Sequence, residues 1–165
     1  MRKLPRLSGY DYSLNGAYFI TICTYNRKQL FGNIIENGIV LSEYGDIVRD
    51  AILDLPNHNN HIAVDNFAIM PNHIHMIISI CRERFLTVPN ATVHGIPEII
   101  RQLKTFSSKR INELKKRNGC DPFPTNTIWQ KSYYDHIIRD EAEYLKIWQY
   151  IDENPARWSE DKYYI

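Results

Sequence analysis

The chain has 165 residues, of which 44% are hydrophobic and 24% are charged, and these proportions are ordinary for a globular protein with a hydrophobic core. Its formal net charge of +1 excludes a globally basic protein, so a nucleic acid would have to bind to a local basic surface. The longest apolar stretches, such as 74–80, are too short to span a membrane.

The first half of the chain predicts an arm, a strand, a hairpin and a helix. Residues 1–15 are rich in turn formers and indicate an irregular arm, and AYFITICTY at 17–25 has the β-branched and aromatic composition of a strand. The Asn-Gly pair at 37–38 between two apolar runs predicts a β-hairpin. Apolar residues at helical spacing follow Ser42 and predict a helix that Pro56 and the Asn/His cluster at 57–61 should stop.

The second half alternates strands and helices. Two strands joined by a tight Pro-Asn turn should pair antiparallel, and a helix rich in lysine and arginine follows them. The elements predicted are strands over 62–70 and 73–81, a helix over 96–117, a short extended piece within 128–139 and a last helix over 140–154. The element order predicts an α+β fold: an antiparallel sheet with helices mainly on one face, of the ferredoxin-like or RRM-like kind. We expect one domain over residues 1–165.

Two histidines form the sharpest local feature of the sequence. His73 and His75 lie two residues apart in a predicted strand, so both imidazoles project from the same face. Imidazole is a common ligand of divalent metals. The alternative is that both histidines are hydrogen-bonded core residues, and a metal site needs a third ligand and a reaction.

The last predicted helix has a core-facing stripe and a polar flank. Tyr144, Trp148 and Ile151 share one face at helical spacing. Tyr150 lies beside that stripe, and Asn154 is one turn further on the same flank, so a hydroxyl and a carboxamide could face one site. On helix geometry alone, Tyr150 is better explained as a packing aromatic at the helix edge than as a catalytic residue.

Three sequence blocks resemble the single-tyrosine HUH transposases and, more narrowly, the REP-associated tyrosine transposases. The similarity covers nearly the whole chain, with the blocks in the order and spacing of that family. The blocks are RLSGYDYSLNGAYFITICTYNR near the start, MPNHIHMII in the middle, and WQKSYYDHIIRD followed by YIDENP near the end. The resemblance implies an HUH fold and a metal-dependent endonuclease and strand transferase. Such an enzyme acts on single-stranded DNA at hairpin-flanked sites and forms a 5′-phosphotyrosine intermediate.

The resemblance also implies roles for particular residues. The HUH element corresponds to His73 and His75, and the nucleophile on the last helix corresponds to Tyr150. The third ligand of the family, a polar amide one turn after the tyrosine, corresponds to Asn154, with His136 of the YYDHIIRD block as a rival. The implied cofactor is Mg²⁺ or Mn²⁺. Tyr133 and Tyr134 are rival nucleophiles only if the helix is aligned differently.

The expected partner is hairpin-forming single-stranded DNA, bound by a monomer or a homodimer with the tyrosine supplied in cis or in trans. Phosphate contacts are the expected source of affinity for single strands. The residues proposed to contact DNA are Arg101, Lys104, Lys109 and Arg110 of the basic helix, Arg139 of the YYDHIIRD block, and Arg6 and Tyr12 of the arm.

We expect a cytoplasmic, nucleoid-associated protein with no membrane partner. No apolar segment follows the basic N-terminal residues, as it would in a secretory signal. Cys23, Cys81 and Cys120 are odd in number and widely spaced, which is typical of free thiols in a reducing compartment.

Two other functions stay open from the sequence. An RRM-like sheet with exposed aromatics could bind single strands without cutting them, which would make this a binding module with an inactive site. A metal-dependent hydrolase built on the histidine pair is the second alternative, and it gives Tyr150 no role.

Overall fold

The computed structural model describes residues 10–85, 92–124 and 127–165 and has an α+β architecture. The elements of the described part are β1 (Gly16–Cys23), β2 (Gly32–Ile35), β3 (Gly38–Leu41), α1 (Glu43–His58), β4 (Ile62–Met70), β5 (His73–Ile80), α2 (Ile96–Arg117), β6 (Tyr134–Ile138) and α3 (Glu141–Glu153). Short 3-10 turns lie at Tyr25–Arg27, Arg82–Phe85 and Trp158–Glu160. The single domain over 1–165 stays a prediction.

Four antiparallel strands form the main sheet, in the order β4-β5-β1-β6. Strands β4 and β5 form the predicted hairpin across residues 71–72. In the centre of the sheet Thr21 of β1 pairs with His75 of β5, and Cys23 pairs with His73. Because side chains alternate between the faces of a strand, these four residues lie on one face of the sheet.

The opposite face of the sheet carries the hydrophobic core. Its buried side chains are Tyr18, Ile20 and Ile22 of β1 and Ile74, Met76 and Ile78 of β5, joined by apolar residues of α1 and α2. Helices α1 and α2 therefore cover this face, and α3 packs against β4 and β5 on the face that carries the histidines. The predicted α+β fold with helices mainly on one face is confirmed.

The β2–β3 hairpin forms where the sequence predicts it, with its turn one residue earlier. The two turn residues are Glu36 and Asn37, with φ of 49° and 66°, and Gly38 is the first residue of β3. Two successive residues with positive φ define a type I′ turn, whose twist matches that of the strands it joins.

Helix α1 begins as predicted, with the Ser42 side chain accepting a hydrogen bond from the Gly45 backbone N–H at 3.1 Å. It passes Pro56 and ends at His58, inside the Asn/His cluster 57–61 that the sequence predicts as part of its stop. Proline has no N–H to donate to the preceding turn. The hydrogen bond that is missing at Pro56 lies near the end of the helix, and Asn59 has already left the helical conformation at φ −141° and ψ 80°.

Helix α3 is tied to the sheet by the carboxylate of Asp65. Asp65 lies at a bulge in β4, between Val64 and Asn66, where the pairing register with β5 shifts. Its Oδ2 accepts hydrogen bonds from the hydroxyl of Ser79 and, at 2.8 Å, from the hydroxyl of Tyr144 in α3. The bulge thus sets the position of the helix that carries Tyr150. None of the helices within the described residues is long and apolar enough to cross a membrane.

Candidate active site

The two histidines lie at the start of β5, immediately after the Pro-Asn turn. His73 and His75 are 0% and 1% exposed, and their Nε2 atoms are 3.0 Å apart. The strand period places both rings on one face, as the sequence predicts. The two nitrogens therefore converge on one point above the face of the sheet.

Hydrogen bonds orient both imidazoles through Nδ1. His73 Nδ1 lies 2.8 Å from Asn72 Oδ1, and Asn72 Nδ2 donates to the backbone carbonyl of Tyr163 at 2.9 Å. Since Oδ1 can only accept, a neutral His73 carries its proton on Nδ1 and leaves Nε2 as a bare lone pair. His75 Nδ1 lies 2.7 Å from the hydroxyl of Thr21. This arrangement matches the outer-shell contacts that fix metal-ligating histidines.

Burial keeps both imidazoles neutral. It lowers the pKa of His73 to about 4, an effect that the carboxylate of Asp161 partly opposes. Burial and the neighbouring His73 hold the pKa of His75 well below its ordinary value. Neutral imidazole is the form that ligates metals, so both side chains are ready for a cation at neutral pH.

A carboxylate faces the histidines from the segment after α3. Asp161 has a fully buried side chain, and its Oδ2 lies 3.6 Å from His73 Nε2. Among the described residues, one ligand atom each of His73, His75 and Asp161 lie within 4.8 Å of one another. Two imidazole nitrogens and a carboxylate oxygen form a donor set that fits a divalent cation.

Tyr150 of α3 completes this constellation within the same chain. Its hydroxyl lies 3.4 Å from His75 Nε2, and the side chain is 40% exposed. Burial and the negative charge of Asp161 raise the pKa of Tyr150 to about 12, and the side chain of Asn154 opposes this rise. The phenol is therefore protonated at neutral pH.

Asn154 lies one helical turn after Tyr150, as predicted. Its side chain is buried and donates from Nδ2 to Asp161 Oδ2 at 2.8 Å. The carboxamide is close enough to Tyr150 and His73 to shift their pKa values. Asn154 Oδ1 accepts no hydrogen bond within the described part of the chain. A buried carbonyl oxygen without a donor is a further atom that a cation would satisfy.

His136, the predicted rival ligand, has another partner. It lies on β6, and its Nε2 pairs with Oε1 of Glu143 in the first turn of α3. Glu143 Oε2 also accepts the backbone N–H of Arg139 at 2.9 Å. His136 is not one of the three residues whose ligand atoms converge.

Sequence reasoning missed the segment after Pro155. Asp161 follows the 3-10 turn Trp158–Glu160, and no motif or period marks it in the sequence. Tyr163 also lies in this segment, with its ring centroid 4.6 Å from that of His73. Residues distant in sequence from both the histidines and the tyrosine thus form part of the site. The sequence feature that could have pointed to Asp161 is that it is an acidic residue in a segment rich in aromatics.

The basic helix α2 lies away from the histidines, on the core face of the sheet. Arg101 pairs with Glu98 at 2.6 Å and Arg110 with Asp54 at 3.3 Å, so two of its four proposed DNA-binding residues have acidic partners. The other two, Lys104 and Lys109, line a cleft of about 510 Å³ together with Lys131.

The remaining predicted DNA-binding residues are separated. Tyr12 is partly buried and packs against the core, with its ring 4.9 Å from that of Tyr10. Arg139 is exposed at the end of β6. Arg6 lies outside the described residues.

A second cleft opens beside the tyrosine. It has a volume of about 450 Å³ and is lined by Tyr150, Asn154 and Asp161 together with the cationic Lys146 and Arg157. Glu153 and Glu160 line the same cleft and pair with Arg157, so Lys146 is the cation that would offer a phosphate contact beside Tyr150. Neither cation was distinguishable from a solvated helix residue in the sequence.

Comparison with known proteins identifies the class. The sequence matches the family described as transposase, IS200-like, over residues 13–154. Since the match covers most of the chain, the protein belongs to the IS200-like transposase family, whose members are DNA-cleaving and rejoining enzymes that generally depend on a metal.

The relatives confirm the resemblance to the REP-associated branch. A protein of Haemophilus influenzae described as a candidate REP-associated tyrosine transposase is 26% identical and matches over 89% of this chain and 74% of its own length. An uncharacterised protein of the same organism is 35% identical over 99% of this chain and 93% of its own length.

Two solved structures share the fold. A REP-associated tyrosine transposase bound to a REP hairpin superposes with a TM-score of 0.59 and 21% identity, over 94% of this chain and 77% of that one. A candidate transposase from Deinococcus radiodurans R1 superposes with a TM-score of 0.52 and 21% identity, over 90% of this chain and 96% of that one. Both likenesses support the predicted fold class.

Proposed function

We propose that this transposase is a divalent-cation-dependent endonuclease and strand transferase for single-stranded DNA, with Tyr150 as its nucleophile. The observation that carries the proposal is the 3.4 Å distance between the Tyr150 hydroxyl and His75 Nε2 in one chain. The distance joins a nucleophile to a candidate metal site, and no second subunit is needed to bring them together. One chain is therefore sufficient for cleavage, whether the protein is a monomer or a dimer.

His73 and His75 would hold the cation, with a third donor from the hydrogen-bonded Asn154–Asp161 pair. When bound, Mg²⁺ or Mn²⁺ would supply Lewis-acid stabilisation of the charge that develops on the scissile phosphate. Thr21 and Asn72 keep the two imidazoles in the orientation that presents Nε2 to the cation.

Tyr150 performs the covalent step. Its oxygen loses the phenol proton and forms a bond to phosphorus, while the bond between phosphorus and the 3′-oxygen breaks. The leaving 3′-oxygen takes up a proton from solvent, so the product is a 5′-phosphotyrosine with a free 3′-hydroxyl. Attack by a 3′-hydroxyl on the phosphotyrosine reverses the step and rejoins a strand. Covalent catalysis of this kind exchanges one phosphodiester for another, so no nucleotide triphosphate is required.

The substrate is hairpin-forming single-stranded DNA. The relative with the TM-score of 0.59 is described as bound to a REP hairpin, and we propose the same class of ligand here. Exposed aromatics near the nucleophile support single-strand binding: Tyr134 is 37% exposed and its ring lies 6.3 Å from that of Phe19, which also contacts the Tyr150 ring. Aromatic faces of this kind stack on unpaired bases. A DNA substrate implies a cytoplasmic, nucleoid-associated location.

A suicide oligonucleotide tests the function. Wild-type protein, Mn²⁺ and a hairpin oligonucleotide with a short single-stranded flank should give an adduct that survives SDS. Tyr150→Phe should bind the oligonucleotide and form no adduct. Tyr25→Phe is the matched control, because Tyr25 is another half-exposed tyrosine, 42% exposed, and should form the adduct as wild type does.

Tyr163 provides the sharpest internal comparison, because its ring contacts both histidines, whereas the ring of Tyr150 contacts His75. Burial raises the pKa of the Tyr163 phenol, and the side chain of Thr21, which contacts His75 at Nδ1 rather than at Nε2, opposes this rise. Tyr163→Phe should therefore keep the adduct. An adduct in Tyr150→Phe that disappears in Tyr163→Phe would reassign the nucleophile. Binding without any adduct in wild type would indicate a binding module, and cleavage without an adduct would indicate a hydrolase.

A further inference from the structure

We propose that the carboxylate of Asp161 is the third protein ligand of the cation and that Asn154 positions it. The inference rests on the proposed function, because it names a ligand of the same site. It places an anionic oxygen where the sequence predicts the neutral carboxamide of Asn154.

The distances fit a shared ion. Ligand atoms about 2.1 Å from one octahedral cation are about 3 Å apart when adjacent. His73 Nε2 and His75 Nε2 are 3.0 Å apart, and His73 Nε2 and Asp161 Oδ2 are 3.6 Å apart. A separation of 3.6 Å is too long for a hydrogen bond, so the imidazole nitrogen and the carboxylate oxygen face each other across a gap.

The burial and charge of Asp161 also point to a cation. Its side chain is completely buried, and its carboxylate has neutral partners within the described part of the chain: His73 at 3.6 Å and two N–H donors, from Asn154 and the Tyr163 backbone. A buried carboxylate is costly unless a positive charge or several donors compensate it. A divalent cation at the convergence of the three ligand atoms supplies that charge.

The carboxylate is held in one orientation. Its Oδ1 accepts the backbone N–H of Tyr163 at 2.8 Å, and its Oδ2 accepts Asn154 Nδ2 at 2.8 Å. Oδ1 is thus directed to the backbone, and Oδ2 is the oxygen that faces His73. The preceding turn is anchored by the buried Trp158, whose ring lies 5.8 Å from that of His73.

This arrangement gives Asn154 a positioning role. Its Nδ2 is committed to Asp161, so the amide connects the helix of the nucleophile to the carboxylate ligand. Partners that orient a ligand typically contribute about 10–100-fold to metal affinity. Losing Asp161 itself should therefore cost more affinity than losing Asn154.

Mn²⁺ titration followed by the EPR signal of free Mn²⁺ measures these affinities without DNA. Asp161→Asn is nearly isosteric and should weaken Mn²⁺ binding more than about 100-fold, while Asn154→Ala should weaken it about 10-fold. Glu160→Gln, an exposed neighbouring acid that pairs with Arg157 at 2.9 Å, should bind within twofold of wild type. Circular dichroism in EDTA checks that each variant is folded.

A labelling experiment on the wild-type chain does not depend on any variant folding. With [4-¹³C]aspartate incorporated, ENDOR spectra of the Mn²⁺ complex should show the ¹³C coupling of a bound carboxylate. With [4-¹³C]asparagine, no coupling of that size should appear. The reverse pattern, or Asp161→Asn binding Mn²⁺ within threefold of wild type, overturns the assignment.

The two proposals fail in different ways. If wild-type protein binds no Mn²⁺, or if His73→Ala with His75→Ala binds it normally, the proposed function is wrong. If wild type binds Mn²⁺ through the histidines and the aspartate coupling is absent, only the role of Asp161 is wrong.

Discussion

The hydroxyl of Tyr150 lies 3.4 Å from Nε2 of His75 in the same polypeptide chain. Helix α3 therefore delivers the tyrosine to the histidine pair of its own sheet. A dimer that exchanged this helix would have to remove α3 from β4, against which it is tied by the hydrogen bond from Tyr144 to Asp65 at 2.8 Å. With Tyr150 as the proposed nucleophile, this arrangement predicts cleavage in cis.

Mixing two inactive variants tests this arrangement. Tyr150→Phe keeps the histidines, and His73→Ala with His75→Ala keeps the tyrosine. A trans arrangement restores activity in mixed dimers, whereas a cis arrangement leaves every chain inactive. We expect no covalent adduct above the level of either variant alone, measured with the suicide oligonucleotide over a range of mixing ratios. Recovery of a substantial part of the wild-type adduct would show that the tyrosine is exchanged.

Removing the hydroxyl of Thr21 should weaken the metal site from its outer shell. Thr21 lies 2.7 Å from His75 Nδ1 and fixes the orientation of that ring. Thr21→Val keeps the shape of the side chain and removes the hydrogen bond, so Mn²⁺ affinity should fall about 10–100-fold. Thr21→Ser keeps the hydroxyl and should restore most of the affinity. Equal affinity in the two variants would show that the contact does not orient the ligand.

The histidine half of the site could be predicted because its logic is local. A strand period of two places His73 and His75 on one face, independently of the tertiary structure. In the same way, the helical period places Tyr150 and Asn154 one turn apart on one flank of α3. Asp161 has no such relation to any of them. Its position depends on how the segment after α3 folds back over the sheet, and tertiary packing of that kind leaves no periodic trace in the sequence.

The fold shows the same division. Antiparallel pairing of β4 with β5 follows from a short Pro-Asn turn, and the core face follows from alternating apolar residues. The end of α1 follows less sharply, because Pro56 and the cluster 57–61 predict it only to within a few residues, and the helix ends at His58. The bulge at Asp65, which positions α3, likewise depends on the partner strand rather than on β4 alone.

The basic residues that line the two clefts, one beside α2 and one beside Tyr150, should affect different steps of the reaction. Lys109 lines a cleft beside α2, on the core face of the sheet, whereas Lys146 lines the cleft that contains Tyr150. Lys109→Ala should weaken binding of a hairpin oligonucleotide and make the dependence of log K on log salt concentration shallower, by about the amount that one phosphate contact contributes. The adduct rate at saturating DNA should not change. Lys146→Ala should lower that rate.

Fluorescence anisotropy at several salt concentrations and single-turnover adduct formation measure the two effects separately. Arg49→Ala is the control, because Arg49 pairs with Asp46 and Asp50 on α1. A slower adduct rate at saturating DNA in Lys109→Ala would place the basic helix at the catalytic step.

The contact between Tyr144 and Asp65 should support both stability and nucleophile position. Tyr144→Phe removes a hydrogen bond to a carboxylate and should lower the free energy of unfolding by about 1–2 kcal/mol at pH 7. Because α3 loses an anchor, adduct formation should slow while Mn²⁺ affinity stays unchanged, since the ligands are not touched. A slower adduct rate without any stability loss would separate the two effects and contradict an anchoring role.

The pH dependence of unfolding gives this contact a second signature. Burial and the Asp65 carboxylate raise the pKa of Tyr144 to about 12 from the ordinary value of 10. The unfolded chain therefore loses this proton first, and the stability due to Tyr144 is complete below pH 10 and is lost as the pH rises toward 12. Tyr144→Phe lacks this titration, so the stability difference between wild type and variant should narrow between pH 10 and 12. Urea unfolding at half-unit pH steps measures the difference in the free energy of unfolding between wild type and Tyr144→Phe. If that difference widens between pH 10 and 12, the phenol does not carry a raised pKa in the folded protein.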